Sequence, residues 1–195
     1  MIRFIDLIFS FFGLIFLSPV FFIISILIKF ESKGGVFYKQ ERIGKNKVSF
    51  QLFKFRSMAV NSDKSGLLTV GMNDSRITKI GHFIRKFKID ELPQLINVLK
   101  GEMSLVGPRP EVKKYVDLYS ESQQIVLYVK PGMTDLASIE FSNENELLEK
   151  QEQPELYYIE HIMPKKIELN KQFIQNPTVY QYFRIILLTL KKIVS

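Results

Sequence analysis

Apolar and polar positions are arranged in three different ways along the chain. From Phe4 to Ile28 there is almost no alternation: the run is apolar apart from Asp6, a few serines, Gly13 and Pro19. A bilayer core is crossed by roughly 20 apolar residues, so this run is long enough. It is too long for a secretory leader and has no small-residue cleavage site after it. A helix buried in a soluble protein normally keeps a polar face, and this one has none. The segment therefore reads as membrane-embedded. Lys29, Lys33, Lys39, Arg42, Lys45 and Lys47 follow it directly and place the rest of the chain on the cytoplasmic side by the positive-inside rule. Pro19 cannot donate a helix hydrogen bond and clashes with the preceding turn, so a kink is expected, with Ser18 Oγ able to satisfy a freed carbonyl. Composition favours a kinked spanning helix; a sharper kink would return both ends to the cytoplasm.

The middle of the chain alternates. Val36 to Arg42 and Val48 to Arg56 read as two strands of a hairpin joined by Ile43 to Lys47. Period two puts Lys54 and Arg56 on one face and Phe53 and Phe55 on the other. The two cations suit either a phosphate clamp or a charge-protected sheet edge. Asn61 to Asp74 is polar and reads as a loop.

From Arg76 the period becomes helical, with Ile77, Ile80, Ile84 and Phe87 on one face and basic residues on the others. Next to a membrane segment, a basic amphipathic helix is expected at the membrane surface. Leu92, Leu95, Ile96 and Leu99 predict the buried stripe of the next helix, with Gly101 as its C-cap. Asn143 to Glu155 reads as a solvated helix and loop. Tyr180, Ile185, Ile186, Leu190 and Ile193 line a last helix closed by Lys191 and Lys192, suited to an interface or a core.

Charge sharpens this picture. Residues 29–109 carry 16 Lys/Arg against 7 Asp/Glu, and residues 110–170 carry 6 against 12, so the basic half calls for an anionic partner. The 195 residues include no cysteine, which excludes disulfides and thiolate metal sites, and only His82 and His161. A metal would need oxygen ligands, which points to Mg²⁺.

The candidate chemistry lies in Lys88 to Glu111. Asp90 and Glu91 fall at an expected helix start, and a stiff Gly107-Pro108-Arg109-Pro110 turn follows that helix. Taken alone, Asp90 as an N-cap and acids in a first turn are ordinary helix chemistry. Adjacent carboxylates with a downstream arginine also suit phosphate handling.

The ordered motifs add to this. They are the apolar run with Ser18-Pro19, Gly34 to Gly44, Lys54 to Met58, Arg76 to Gly81, Asp90-Glu91-Leu92-Pro93-Gln94, Ser104 to Pro110 and Lys130 to Thr134. Over residues 4–134 the chain resembles the bacterial sugar transferases, monotopic phosphoglycosyl transferases that start glycan assembly on a polyprenyl-phosphate carrier. The resemblance implies a mostly helical α+β fold with a small β-hairpin. It implies a re-entrant membrane helix (1–30), broken at Ser18 and Pro19, and a catalytic domain (31–195) whose interfacial helices surround an active site on the cytoplasmic face of the bacterial inner membrane.

It also implies a reaction. Asp90 is the expected nucleophile on the β-phosphate of a UDP-sugar, giving a phosphosugar-aspartyl enzyme and UMP before transfer to undecaprenyl phosphate. Glu91 is the expected dyad partner, and either carboxylate is a candidate ligand for Mg²⁺. Lys54, Arg56 and the Gly107-Pro108-Arg109 turn are expected at the diphosphate, and Arg85 at the lipid phosphate. A helix N-terminus beneath the dyad would favour phosphate further.

After Thr134 the chain departs from many members, reading Asp135 to Phe141 with no tryptophan anywhere. Tyr157-Tyr158-Ile159 resembles a late family motif loosely. Competing classes are a catalytically silent membrane scaffold, which the intact dyad argues against, and a nucleic-acid binder, for which no binding motif is present. The expected partners are a nucleotide sugar, polyprenyl phosphate and the membrane, with a homo-oligomer open and no nucleic acid.

Overall fold

A computed structural model describes residues 1–60, 62 and 74–194. The loop expected over Asn61–Asp74 therefore lies, except for its residues 62 and 74, outside the described residues. The fold is mostly helical with little sheet, as the sequence predicts.

Helix α1 runs over Ile2–Glu31 without interruption and contains Pro19. It is long and apolar enough to cross a membrane. Ser18 Oγ donates to the Ile15 carbonyl at 2.7 Å, the group that Pro19 leaves without its i+4 partner. At 1.5 Å per residue the helix is about 45 Å long, yet both of its ends are fixed to one body. At the start, Arg3 Nη1 and Nη2 donate to the carbonyls of Val98 and Leu99 at 2.6 and 2.9 Å. Asp6 is 2% exposed and accepts from Ser104 Oγ at 3.0 Å, Leu105 N at 2.9 Å and the Tyr182 hydroxyl. Ile2 and Ile5 pack against Val106, Tyr182 and Ile185. At the far end, Ile24 and Ile28 share a core with Phe55 and Ile84. Between these ends Phe9, Phe11, Phe12, Ile15, Phe16 and Phe22 are exposed.

The hairpin forms as predicted: β1 (Phe37–Ile43) pairs antiparallel with β2 (Ser49–Phe55) across a 3-10 turn at Lys45–Lys47. Helix α2 (Lys79–Lys86) is capped by Thr78, whose side chain accepts from Gly81 N. Ile77 and Ile84 are buried, but Phe87, expected on the same face, is exposed beside Phe83. The α2 period ends at Lys86, so Phe87 belongs to the exit turn.

Helix α3 (Gln94–Lys100) ends on Gly101 in the left-handed region (φ 87°), as expected of a C-cap. Its buried face differs from the predicted stripe. Gln94, Leu95, Asn97 and Val98 are buried, whereas Leu92, Ile96 and Leu99 are half-buried. The reason is polar. Asn97 Oδ1 accepts from Phe53 N at 3.0 Å, and Nδ2 donates to Gln51 O and Glu102 Oε2 at 2.7 Å, clamping β2 to α3.

A second sheet was not legible in the sequence: β3 (Ser104–Val106) pairs parallel with β4 (Gly132–Thr134). Short helices α4 (Lys113–Val116), α5 (Leu136–Glu140), α6 (Glu144–Glu149) and α7 (Pro154–Tyr157) follow in chain order. A π-helical turn at Tyr158–Ile162 leads into α8 (Met163–Gln175), and α9 (Val179–Val194) ends the chain. The acidic segment is mostly exposed, with Leu148 its buried anchor. Helix α9 has a core face and an exposed face. Tyr182 and Ile185 are core, while Tyr180, Leu187 and Leu190 are exposed.

Candidate active site

The two adjacent acids sit where three elements meet. Lys88 adopts a left-handed conformation (φ 55°, ψ 19°) that reverses the chain after α2. For a non-glycine residue this costs about 1–2 kcal/mol. Ile89–Glu91 then form a 3-10 turn, and α3 begins only at Gln94. Asp90 is thus not an N-cap. The expectation of a helix N-terminus beneath the dyad is corrected: the amides of Glu91 and Leu92 already bond Lys88 O and Ile89 O, and Pro93 has no N–H to offer.

Glu91 is held by two cations. Arg109 grips it with both arms, Nη1 to Oε2 at 3.0 Å and Nη2 to Oε1. Lys54 Nζ lies 3.0 Å from Oε1. Burial alone would raise the Glu91 pKa, but Arg109 and then Lys54 hold it well below the ordinary carboxylate range. Lys54 is pushed down by burial, against the pull of Glu91.

Asp90 is different. It is 6% exposed and has no hydrogen bond or ion pair among the described residues. Burial, and then the Glu91 charge, push its pKa up; Lys54, Arg85 and Lys88 oppose this. Lys54, Arg85 and Lys88 therefore face Asp90 electrostatically, and Arg85 makes no ion pair of its own among the described residues.

Arg109 is aimed by its backbone. Gly107 and Gly132 meet where a Cβ on either would strike the other strand's main chain, at 2.6 Å (Lys130 O) and 2.1 Å (Gly107 N). That approach allows Gly107 N to bond Thr134 O at 3.1 Å and Gly132 N to bond Pro108 O at 3.0 Å. Gly107 and Pro108 thus act first as the frame of the turn. Asp135, at the start of the divergent segment, caps α5 through Ser138 N and accepts from Arg109 N at 3.0 Å and Asn170 Nδ2 at 2.8 Å. An Asp immediately before an apolar helix signals a cap in the sequence; its hold on Arg109 does not show there.

Arg56 lies apart from this cluster. Its guanidinium donates to Lys33 O at 2.6 Å and Ser32 O at 2.9 Å, closing the end of α1. The predicted face is real up to Lys54, but Arg56 lies past the end of β2 and turns to the carbonyls of Ser32 and Lys33, just past the end of α1. A further network was missed: Arg42 Nη1 binds Glu111 Oε1 at 2.8 Å, and the Tyr158 hydroxyl donates to Glu111 Oε2 at 2.6 Å.

Among the described residues no three His, Asp or Glu side chains gather as a ready-made metal site. The oxygens of Glu91 are occupied by cations, so Asp90 is the carboxylate with free lone pairs. Such a site fits Mg²⁺ in its usual manner, with one or two carboxylates and the remaining ligands from substrate phosphates and water.

Asp90, whose carboxylate makes no protein hydrogen bond among the described residues, thus stands beside an acid held by Lys54 and Arg109. The family model described as bacterial sugar transferase matches residues 1–195. The chain belongs to that family. Its relatives include a putative undecaprenyl-phosphate N-acetylgalactosaminyl 1-phosphate transferase of Bacillus subtilis, 50% identical over 109 residues, covering 56% of this chain and 61% of that protein. A UDP-glucose:undecaprenyl-phosphate glucose-1-phosphate transferase of Klebsiella pneumoniae is 37% identical over 191 residues, 96% of this chain and 38% of that one. The sugar transferase EpsL of Bacillus subtilis is 36% identical over 191 residues, 98% and 86%. The chain thus spans 61% and 38% of the lengths of the first two. The family motifs quoted above fall on the end of α1, the hairpin, α2, the dyad turn and the β3–β4 crossing, which are the elements that build the site.

Proposed function

We propose that this chain transfers a sugar-1-phosphate from a UDP-sugar to undecaprenyl phosphate, the first membrane step of glycan assembly. The observation that carries the reading is the contrast within the dyad: Glu91 is saturated by Arg109 and Lys54, while buried Asp90 is left without a partner. Asp90 Oδ attacks the β-phosphorus, an O–P bond forms, and the bond to the bridging oxygen breaks, so UMP leaves with that electron pair. An oxygen of the lipid phosphate then attacks the same phosphorus, releasing the Asp90 carboxylate and giving the polyprenyl-diphosphate-sugar.

An anionic nucleophile meeting an anionic phosphate needs charge neutralisation. Arg109 and Lys54, held in place by Glu91, supply fixed positive charge at the diphosphate, and Arg85 lies on the α2 side for the lipid phosphate. Mg²⁺ bound at Asp90 would add Lewis-acid polarisation of the phosphoryl oxygens.

The same reading places α1 as a re-entrant anchor and the body, residues 31–195, on the cytoplasmic face of the inner membrane. What supports it is that Arg3 and Asp6 at one end, and Ile24 and Ile28 at the other, hold the helix to a single body, leaving the phenylalanines between them for lipid. Membranes holding the chain, given Mg²⁺, polyprenyl phosphate and a panel of UDP-sugars, should release UMP with one preferred donor. Undiminished release by Asp90→Asn would overturn the mechanism.

A further inference from the structure

Where the start of α1 meets the end of α3, cations gather that the proposed reaction does not use. A Cβ on Gly101 would lie 3.3 Å from Arg3 Nη2 and 3.6 Å from Lys130 Nζ, so both charges crowd one backbone position. Arg3 spends two of its N–H donors on the Val98 and Leu99 carbonyls and keeps others free to bond. Lys130 is half-buried, and its ammonium makes no hydrogen bond or ion pair among the described residues. Burial lowers its pKa, and the charges of Arg3 and then Lys45 lower it further. Asp6 pulls the other way but is itself met by three donors. Lys45 and Lys100 are exposed, and Lys100 rests over the Phe53 ring at 4.6 Å rather than on an acid. The negative end of the α3 dipole accounts for Arg3 on the carbonyls. It does not account for Lys130, which bonds none. Like charges held together without an acid repel until an anion joins them.

Their place on the chain says which anion. Arg3 stands between Met1 and Phe4, both exposed, where the apolar face of α1 begins. Tyr128, two residues before Lys130, is exposed, and so is Val48, three residues after Lys45. The turn at Lys45–Lys47 is tied to the segment before Tyr128, because Lys47 Nζ donates to Gln124 Oε1 at 2.8 Å. Cations beside exposed aromatic and aliphatic side chains are the composition of a surface at headgroup level. We propose that Arg3 and Lys130, with Lys45 beside them, bind the phosphate of an anionic phospholipid where α1 enters the membrane. The site uses none of the residues of the dyad cluster, and Arg85 takes no part in it. It rests on the reading of α1 as lipid-embedded, not on the reaction, and no bond is made or broken there.

The chain has no tryptophan, so Tyr128→Trp and Val48→Trp each put a single fluorescent reporter on this surface. Phe16→Trp puts one on the exposed middle of α1. Each full-length variant is placed in nanodiscs of equal parts phosphatidylcholine and phosphatidylglycerol, with a bromine quencher on one lipid or the other. At Phe16→Trp both labels should quench alike. At Tyr128→Trp and Val48→Trp brominated phosphatidylglycerol should quench more than brominated phosphatidylcholine. Adding Lys130→Gln should cut that excess roughly fivefold, the worth of one cation at an anionic surface. The unfolding temperature should hold, because the ammonium has no protein partner, and Lys130→Arg should keep the excess. An excess that survives Lys130→Gln, equal quenching by the two lipids, or no quenching at either surface reporter would overturn the site. No quenching at Phe16→Trp would overturn the α1 anchor and the site with it. None of these readouts depends on turnover, so the site and the proposed reaction fail separately.

Discussion

Asp6 and Asp90 are both buried aspartates, and the chain treats them in opposite ways. Asp6, in the apolar run, meets three donors from β3 and α9. A desolvated carboxylate satisfied in this way is a rivet, tying the start of α1 to the body. Asp90 meets none, and its pKa is pushed up by burial and by Glu91. A fold gains nothing from an unpaired buried acid, which the proposed role of Asp90 as nucleophile would explain. The same contrast recurs two residues apart on the hairpin. Lys54 reaches Glu91, whereas Arg56 binds the carbonyls of Ser32 and Lys33 just past α1. Residue type does not separate the members of either pair; partners do.

The comparison can be broken most forcefully at Asp90. Asp90→Asn should lower UMP release by at least about 10³-fold, with an unfolding temperature equal to or above wild type, because a strained ionised group is removed. Next, Arg109→Lys replaces a two-armed grip with a point charge and should cost roughly 10²-fold in kcat/KM with little change in stability. Asp6→Ala should do the reverse. It strands donors on Leu105, Ser104 and Tyr182 and should cost roughly 2–4 kcal/mol of stability, seen as a lower unfolding temperature in detergent, while turnover per folded molecule stays within a few-fold of wild type.

The smallest effect sharpens the dyad itself. Turnover needs ionised Asp90, whose pKa lies above the ordinary range, so the acid limb of the kcat/KM profile should lie higher than for an ordinary aspartate. Glu91→Gln removes the like charge that helps raise that pKa, so the limb should move to lower pH whatever happens to the plateau. A limb that stays in place would mean another group controls it.

Much of this was legible in the one-dimensional pattern because it depends on local periodicity. The apolar run, the hairpin, the basic face of α2 and the Gly101 cap all follow from spacing and backbone preference. The ordered motifs then named Asp90, Glu91, Lys54, Arg56, Arg85 and the Gly107-Pro108-Arg109 turn as a set. Other features depend on partners distant in sequence. The parallel β3–β4 pair joins two three-residue strands 25 residues apart, too short for a periodic signal. The α3 stripe shifted because Asn97 had backbone groups of β2 to satisfy. Arg56 left the clamp because the end of α1 lay within reach. Nor could spacing show that Asp135, in the segment departing from many family members, supports the backbone of Arg109.

The sequence by itself determined which residues carry charge, where the apolar run, the hairpin and the α2 period fall, and which family's motifs recur in order. Only the tertiary structure decided which buried polar groups are satisfied and which are left bare. That depends on distances between elements far apart in the chain, and it separates Asp6, met by three donors, from Asp90, whose carboxylate has no protein partner among the described residues.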